Sequence, residues 1–295
     1  MKCTAIVVTY NGMKWYEKCF TSLVESNFPL EIIAVDNKST DNSVEYISNN
    51  YSTVKIIQTG TNYGFAKANN IGLKRAYENN ADFYFLLNQD AWIEKDTVEK
   101  LIHFSVSNPE YGVISPVHLT GDKQHFDRGF INYFHSCSET LHAYENLFLK
   151  KDEPACYNAR FVNAAAWLVT KHCLETVGGF DTILFRHYGE DSNYCHRVLW
   201  HRLKIAIITS STICHDREHR IDKPIDITIN FSVFYANILN GKKVFLKRFL
   251  IIMIKIMSVK HSKNGIKELF FLITNIHKIL KSRKWNKIKG NKVLK

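Results

Sequence analysis

The sequence predicts an α/β fold, a mostly parallel sheet flanked by helices, with a helical appendage at the C-terminal end. Short apolar runs alternate with segments of helical spacing through the first third of the chain, the signature of βαβ units. The runs end in polar side chains: Thr9 and Tyr10, then Asp36, then Asn88 and Asp90. Ligands of open parallel sheets bind just beyond the carboxyl ends of the strands, so three such ends in register point to one cleft. After Asp222-Lys223-Pro224 the pattern changes, and from Gly241 on apolar stretches are interrupted by Lys and Arg, with Glu268 as the only acid.

Residues 5–8 form the first strand and stop at Thr9-Tyr10-Asn11-Gly12. Residues 15–25 have helical spacing, with Trp15, Cys19, Phe20 and Leu23 on one side. Residues 30–35 are a second strand, and the loop from Asp36 to Ser43 closes with a Ser/Asp-type cap for a helix over 44–49. Residues 54–58 are a third strand, Asn62-Tyr63-Gly64-Phe65 a turn, and 66–78 a helix that can pack through Ala68, Ile71, Leu73 and Ala76. Phe83-Tyr84-Phe85-Leu86-Leu87 is apolar without alternation, as in a strand buried on both faces. It ends at Asn88 and Asp90. An isolated carboxylate there is costly to bury without a partner, and a divalent cation is a common one. The alternative is that Asp90 caps a helical segment over 97–106 or a turn before it.

Farther on, residues 121–152 are rich in His, Phe, Tyr and Ser and read as an acceptor-side loop. Residues 161–169 are a strand or turn of small residues, and 172–177 a short helix stopped by Gly178-Gly179. Glu190 and Asp191 open the next helix. The helix dipole favours acids there, and a carboxylate facing a cleft can also serve as a general base. A strand over 203–208 and the segment 211–213 lead to His215, a candidate metal ligand beside Asp216, Arg217, His219 and Arg220.

The chain has 295 residues and a net charge of +11, which implies an anionic partner such as a nucleotide, a nucleic acid or a membrane surface. Seven cysteines without a Cys-x-x-Cys pair argue for reduced thiols in a cytoplasmic setting. The N-terminal apolar run is too short for a signal peptide, and no stretch reaches the about 18 apolar residues of a membrane span. There is neither a G-x-G-x-x-G after the first strand nor a G-x-x-x-x-G-K-[ST] anywhere. This excludes a dinucleotide fingerprint and a P-loop.

Six segments in order resemble family 2 glycosyltransferases of the GT-A nucleotide-diphospho-sugar transferase fold, close to the bacterial rhamnosyltransferase-like branch. They are Ile6-Val7-Val8-Thr9-Tyr10-Asn11, Val35-Asp36-Asn37-Lys38-Ser39-Thr40-Asp41, Asn62-Tyr63-Gly64-Phe65-Ala66-Lys67-Ala68-Asn69-Asn70, Leu86-Leu87-Asn88-Gln89-Asp90, Val177-Gly178-Gly179-Phe180-Asp181 and Gly189-Glu190-Asp191. The resemblance covers residues 3 to about 220. It implies inverting transfer of a sugar from a nucleoside diphosphate sugar, UDP- or dTDP-linked, to a glycan or lipid-linked acceptor hydroxyl in cell-surface polysaccharide synthesis. Donor binding would fall to Thr9, Tyr10, Asp36, Asn69, Asn88 and Gln89. Asp191 would be the general base with Glu190 beside it. Asp90, the last Asp of the family's D-x-D element, and His215 would hold Mg²⁺ or Mn²⁺. Asn88 replaces the first Asp of that element and brings no charge.

The expected division is a catalytic domain over 1–222 and basic amphipathic helices over 223–295. Residues 229–239, 244–257 and 266–281 read as helices, the last two suited to an anionic membrane face or to a second copy of the chain. The expected location is cytoplasmic, peripheral on the inner face of the membrane. Two other readings compete. Basic residues interleaved with aromatics can bind nucleic acid, but the excess charge sits in the tail and no nucleic-acid motif appears, so no nucleic-acid partner is expected. A nucleotidyltransferase would show a Gly-rich basic loop after the first strand, which Thr9-Tyr10-Asn11-Gly12 does not supply.

Overall fold

The computed structural model describes residues 1–136, 146, 156–217, 226–257 and 262–290. Four strands, β1 (Cys3–Thr9), β2 (Leu30–Asp36), β3 (Val54–Gln58) and β4 (Phe83–Asn88), lie parallel in the order β3-β2-β1-β4. Helices α1 (Met13–Val24), α2 (Ser43–Asn50) and α3 (Gly64–Glu78) connect them. The register sets Thr9 opposite Asp36 and Val8 opposite Asn88, so the polar strand ends fall on one line. The central strands β1 and β4 are apolar on both faces because each face has its own core. Ile6 and Leu86 pack on one side with Ile33 and Leu73. Ala5, Val7, Phe85 and Leu87 pack on the other with Tyr16, Phe20 and Leu23.

The second half of the sheet is mixed, where the sequence pattern implied a mostly parallel one. It contains β5 (Ala91–Ile93), α4 (Thr97–Ser107), β6 (Tyr111–Leu119), α5 (Arg128–Ser136), β7 (Cys156–Asn158), β8 (Ala166–Thr170), α6 (Lys171–Val177), α7 (Glu190–Trp200) and β9 (Lys204–His215). The full order among the described residues is β3-β2-β1-β4-β8-β6-β9-β5, with β7 also on β9. β8 runs antiparallel to both β4 and β6. β6 was not foreseen because Pro116 interrupts it. Proline lacks an N–H and is tolerated in a sheet only at an irregularity, and the β6–β9 register does shift between Pro116 and Val117. Past that shift the end of β9 pairs with β5, setting His215 opposite Ala91. The segment read as an acceptor-side loop contains α5, and its remainder over 137–152 lies almost wholly outside the described residues. Asp90 does not cap α4, whose N-cap is Asp96.

Gly64 opens α3 at φ +80°, and a methyl group there would overlap the carbonyl oxygen of Arg186. Arg186 Nη2 in turn donates to the Asn62 carbonyl at 3.3 Å. The turn at 62–64 and the loop before α7 are thus held by a side-chain hydrogen bond and by the close approach of Gly64 to the Arg186 carbonyl. Gly64→Ala is expected to cost about 1–3 kcal/mol, from a positive φ and a displaced backbone together. A thermal melt should show this as a drop of several degrees in Tm, and an unchanged Tm would contradict it.

Three helices follow, α8 (Ile227–Ala236), α9 (Lys242–Met257) and α10 (Ser262–Asn286). The expected boundary at residue 222 lies outside the described residues. The end of α10 is fastened to the rest of the chain. Ser282 Oγ donates to Asp181 Oδ2 at 2.5 Å, the Arg197 guanidinium lies 4.4 Å from the Trp285 ring centre, and Gly290 N donates to the Thr176 carbonyl at 3.0 Å. Buried Phe231, Tyr235, Phe271 and Ile279 form a separate small core.

Candidate active site at the strand ends

A cleft of about 360 Å³ opens at the carboxyl ends of β1, β2 and β4 and is closed on one side by the start of α7. Val8, Tyr10, Asn37, Asn62 and Phe65 line one part. Asn88, Gln89, Asp90 and Arg217 line a second, and Asn163, Ala164, Ala165, His187, Tyr188, Glu190 and Asp191 a third. Trp15 completes the wall and is fixed by its Nε1 donating to Asp216 Oδ2 at 2.9 Å.

Gln89 joins two strand ends. Its Oε1 accepts from Tyr10 N at 2.8 Å and its Nε2 donates to the Tyr10 carbonyl at 3.1 Å. This fixes the backbone of Tyr10 while its ring stays exposed. Thr9 and Asp36 are buried one layer behind. Asp36 accepts from Thr9 Oγ1 at 3.3 Å, Ser39 N at 3.1 Å and Ser39 Oγ at 2.5 Å, so its carboxylate shapes the loop that turns Asn37 into the cleft. Asn37 Nδ2 donates to Asn62 Oδ1 at 3.1 Å, and Asn37 Oδ1 accepts from Tyr63 N at 2.8 Å. Asn69 is buried in α3, bonded to the Phe65 carbonyl, and is not among the residues lining the cleft.

The bend in β9 carries His215 to Asp90. Both are buried, and His215 Nε2 lies 3.5 Å from Asp90 Oδ1. The other ring nitrogen, Nδ1, lies 3.3 Å from Asp127 Oδ2, an oxygen also 3.3 Å from Arg217 Nε. Asp127 is itself held by Phe130 N, which donates to Oδ1 at 2.8 Å. Burial alone would raise the Asp127 carboxyl. Its hydrogen bond with His215 and the Arg217 charge instead hold it well below the usual carboxylate range. Behind His215, burial and the neighbouring ring push His118 down to about 3, so it stays neutral.

This donor set suits a divalent cation that accepts oxygen and nitrogen donors together. It offers a carboxylate oxygen and an imidazole nitrogen, the imidazole oriented by a second carboxylate as metal-bound histidines usually are. Among the described residues no group of three or more His, Cys, Asp or Glu gathers to hold a metal; a bound diphosphate would supply further oxygens beside Asp90 and His215. Asp127→Asn is expected to loosen the His215 tautomer and weaken Mn²⁺ affinity by about 10–100-fold. Electron paramagnetic resonance of free Mn²⁺, titrated in the presence of a nucleoside diphosphate, reads this directly, and an unchanged affinity would count against the relay.

Gly189, at φ +86°, turns the chain into α7. A Cβ there would stand 2.7 Å from Val233 Cγ2, so α8 presses on the point where Glu190 and Asp191 enter the cleft. Burial, with the charge of Asp191 beside it, pushes Glu190 up to about 8. Burial also raises Asp191, against the Ser192 amide, which donates to its Oδ1 at 2.7 Å, and the charge of Arg217. Burial thus favours the protonated form of Glu190, a state that favours ionisation of its neighbour.

Sequence reasoning missed the relay through Asp127 and the wall positions Asn37, Asn62 and Asn163. Asn37 and Asn62 both stand inside the quoted motifs, Asn37 directly after Asp36. Asp127 carried no signal, because its partner is 88 residues away.

Comparison with known proteins gives a consistent answer. A family model described as glycosyl transferase family 2 matches residues 4–170. The dTDP-rhamnosyl transferase RfbF of Shigella flexneri is 26% identical over 212 residues, covering 72% of this chain and 68% of its own. Of two further glycosyltransferase relatives, the chain spans only 42% and 19%. Among solved structures, S. aureus TarS 1–349 in complex with UDP-GlcNAc aligns at TM-score 0.59 and 15% identity, over 96% of this chain and 79% of that one. GalNAc-T7 with UDP, GalNAc and Mn²⁺ aligns at 0.58 and 12%, over 80% and 48%. These structural likenesses carry the fold, which is the expected GT-A arrangement, and the family model carries the class. The chain belongs to glycosyl transferase family 2.

Proposed function

We propose that the chain transfers a sugar from a pyrimidine nucleoside diphosphate sugar, UDP- or dTDP-linked, to an acceptor hydroxyl with inversion at the anomeric carbon. The observation that carries the reading is the convergence of Asp191 and Asp90 on one cleft at the strand ends, with His215 buried behind Asp90. Tyr10, Asn37 and Asn62 face the nucleoside, with Thr9 and Asp36 holding that wall from behind. Asn88 and Gln89 lie between nucleoside and diphosphate. Asp191 takes the proton of the acceptor hydroxyl, and the freed oxygen displaces the diphosphate in line. Glu190, protonated, donates to the acceptor. Arg217, steadied by Asp127, offers charge-assisted hydrogen bonds to the leaving phosphates. Asp90 and His215 would hold Mg²⁺ or Mn²⁺, which when bound offsets charge on the leaving group.

The names of the relatives support this donor class, since one is a dTDP-rhamnosyl transferase and another was solved with UDP-GlcNAc. The acceptor is a glycan or lipid-linked glycan of a bacterial surface polymer. The enzyme works on the cytoplasmic side, its C-terminal helices against the membrane or against a second copy of the chain. A thermal-shift screen of UDP-, dTDP- and GDP-sugars with Mn²⁺ tests the reading. A donor at 100 times its Kd is expected to stabilise the fold by about 2.7 kcal/mol. No stabilisation by any nucleotide sugar would overturn it.

A further inference from the structure

We infer that the C-terminal helices are a docking surface for acidic phospholipids, with a cavity that takes one lipid chain. The inference rests on the peripheral position proposed above and is independent of the transfer chemistry. Leu246, Phe249, Leu250, Met253 and Ile254 recur on α9 at the spacing of a single helix face. A globular protein would turn such a face inward, yet these side chains are 43–67% exposed. Ile266, Phe270 and Ile273 repeat the pattern on α10, each at least 55% exposed. Of the 18 large apolar side chains exposed among the described residues, 12 lie between Leu239 and Leu280. No described helix is long and apolar enough to cross a membrane. These stripes therefore suit the plane of the interface.

The charge around them selects the partner. After residue 240 the chain carries 16 Lys and Arg against one acid, Glu268. That acid is buried and paired with Arg248, whose Nη2 donates to Oε2 at 2.9 Å. Among the described residues of these helices the remaining side-chain charge is thus positive. A second copy docked through the same face would bring two such surfaces together, whereas anionic head groups neutralise them.

A cavity of about 710 Å³ opens where α8, α9 and α10 meet. Its apolar walls include Tyr235, Phe245, Leu272 and Ile279, and Lys242, Lys287 and Trp200 stand on its wall as well. Lys287 Nζ lies 5.5 Å from the Trp200 ring centre. Arg283 also borders the cavity, but it already donates to the carbonyls of Tyr235, Asn237 and Asn240. The two lysines are the cations left for a phosphate, above a chamber fitted to hydrocarbon. A half-exposed indole beside them suits the membrane interface.

Co-sedimentation of the full chain with phosphatidylcholine vesicles, with and without phosphatidylglycerol, tests this. Binding is expected only with phosphatidylglycerol and is expected to weaken as salt rises. Lys242→Ala with Lys287→Ala should lower partition on the order of 30-fold. Phe249→Glu, on the exposed stripe, should abolish it while nucleotide-sugar stabilisation in solution persists. Loss of that stabilisation in the unmodified chain would indict the proposed donor chemistry, not the lipid surface. Equal binding to both vesicles, no binding to either, or a stable dimer in light scattering that Phe249→Glu splits would each overturn the lipid assignment.

Discussion

Asp191→Asn is expected to lower sugar transfer by about 10²–10⁴-fold, the range a positioned general base contributes. The amide keeps the shape of the side chain and can still accept from the Ser192 amide, which donates to Asp191 Oδ1 at 2.7 Å. Donor affinity should therefore stay nearly unchanged, and the loss should fall on kcat. Wild-type turnover by this variant would remove Asp191 from the mechanism. The pH profile gives a second readout. Asp191 must be ionised to act, and burial raises its pKa, so the acid limb should lie above the ordinary carboxylate range. Glu190, pushed up to about 8 by burial and by Asp191, must be protonated to donate, so activity should fall again as the pH rises past that value. The two carboxyls titrate as a pair, and the limbs belong to the pair. Stability follows the same sign. The folded chain favours protonated Glu190. That contribution is complete below the ordinary value of 4.5 and is lost as the pH rises through about 8.

Asp90→Ala is expected to weaken Mn²⁺ affinity by about 100-fold or more, beyond the cost of losing an outer partner such as Asp127. The reason lies in the donor set. Asp90 is the carboxylate on the cleft wall beside His215, since Asn88 brings no charge where a second acid would help. Removal also leaves His215 buried without its neighbour 3.5 Å away. Chelation of divalent cations should stop transfer by the unmodified chain and be reversed by adding Mn²⁺ back. Transfer that survives chelation would sink the metal assignment, and unaltered Mn²⁺ titration of the Asp90 variant would move the ligand role elsewhere. The two substitutions also separate roles. Asp191→Asn should leave Mn²⁺ affinity intact, and Asp90→Ala should leave the pH limbs of any residual activity in place.

The legible part of this protein is its first ninety residues. Each strand and helix from β1 to β4 is a local pattern, and the apolar runs stop where the sheet stops. Asn88, Asp90 and Glu190-Asp191 could be picked out because each sits at an element boundary. Pairing partners were less accessible. Asp36 looks like a ligand-facing acid and instead spends its oxygens on Thr9 and Ser39, which leaves the cleft position to Asn37. The apolar α9 was readable as a helix, but nothing in its spacing says that its stripe faces outward.

By itself the sequence determined the parallel half of the sheet, the polar strand ends and the basic helices at the C-terminal end, because these follow from residue order over a few turns or one strand. The tertiary structure alone decided the relay Asp90–His215–Asp127–Arg217. It exists because β9 shifts register beside Pro116 and returns to β5. A pairing between residues 91 and 215 depends on strand order and register across the sheet, and no local periodicity encodes that.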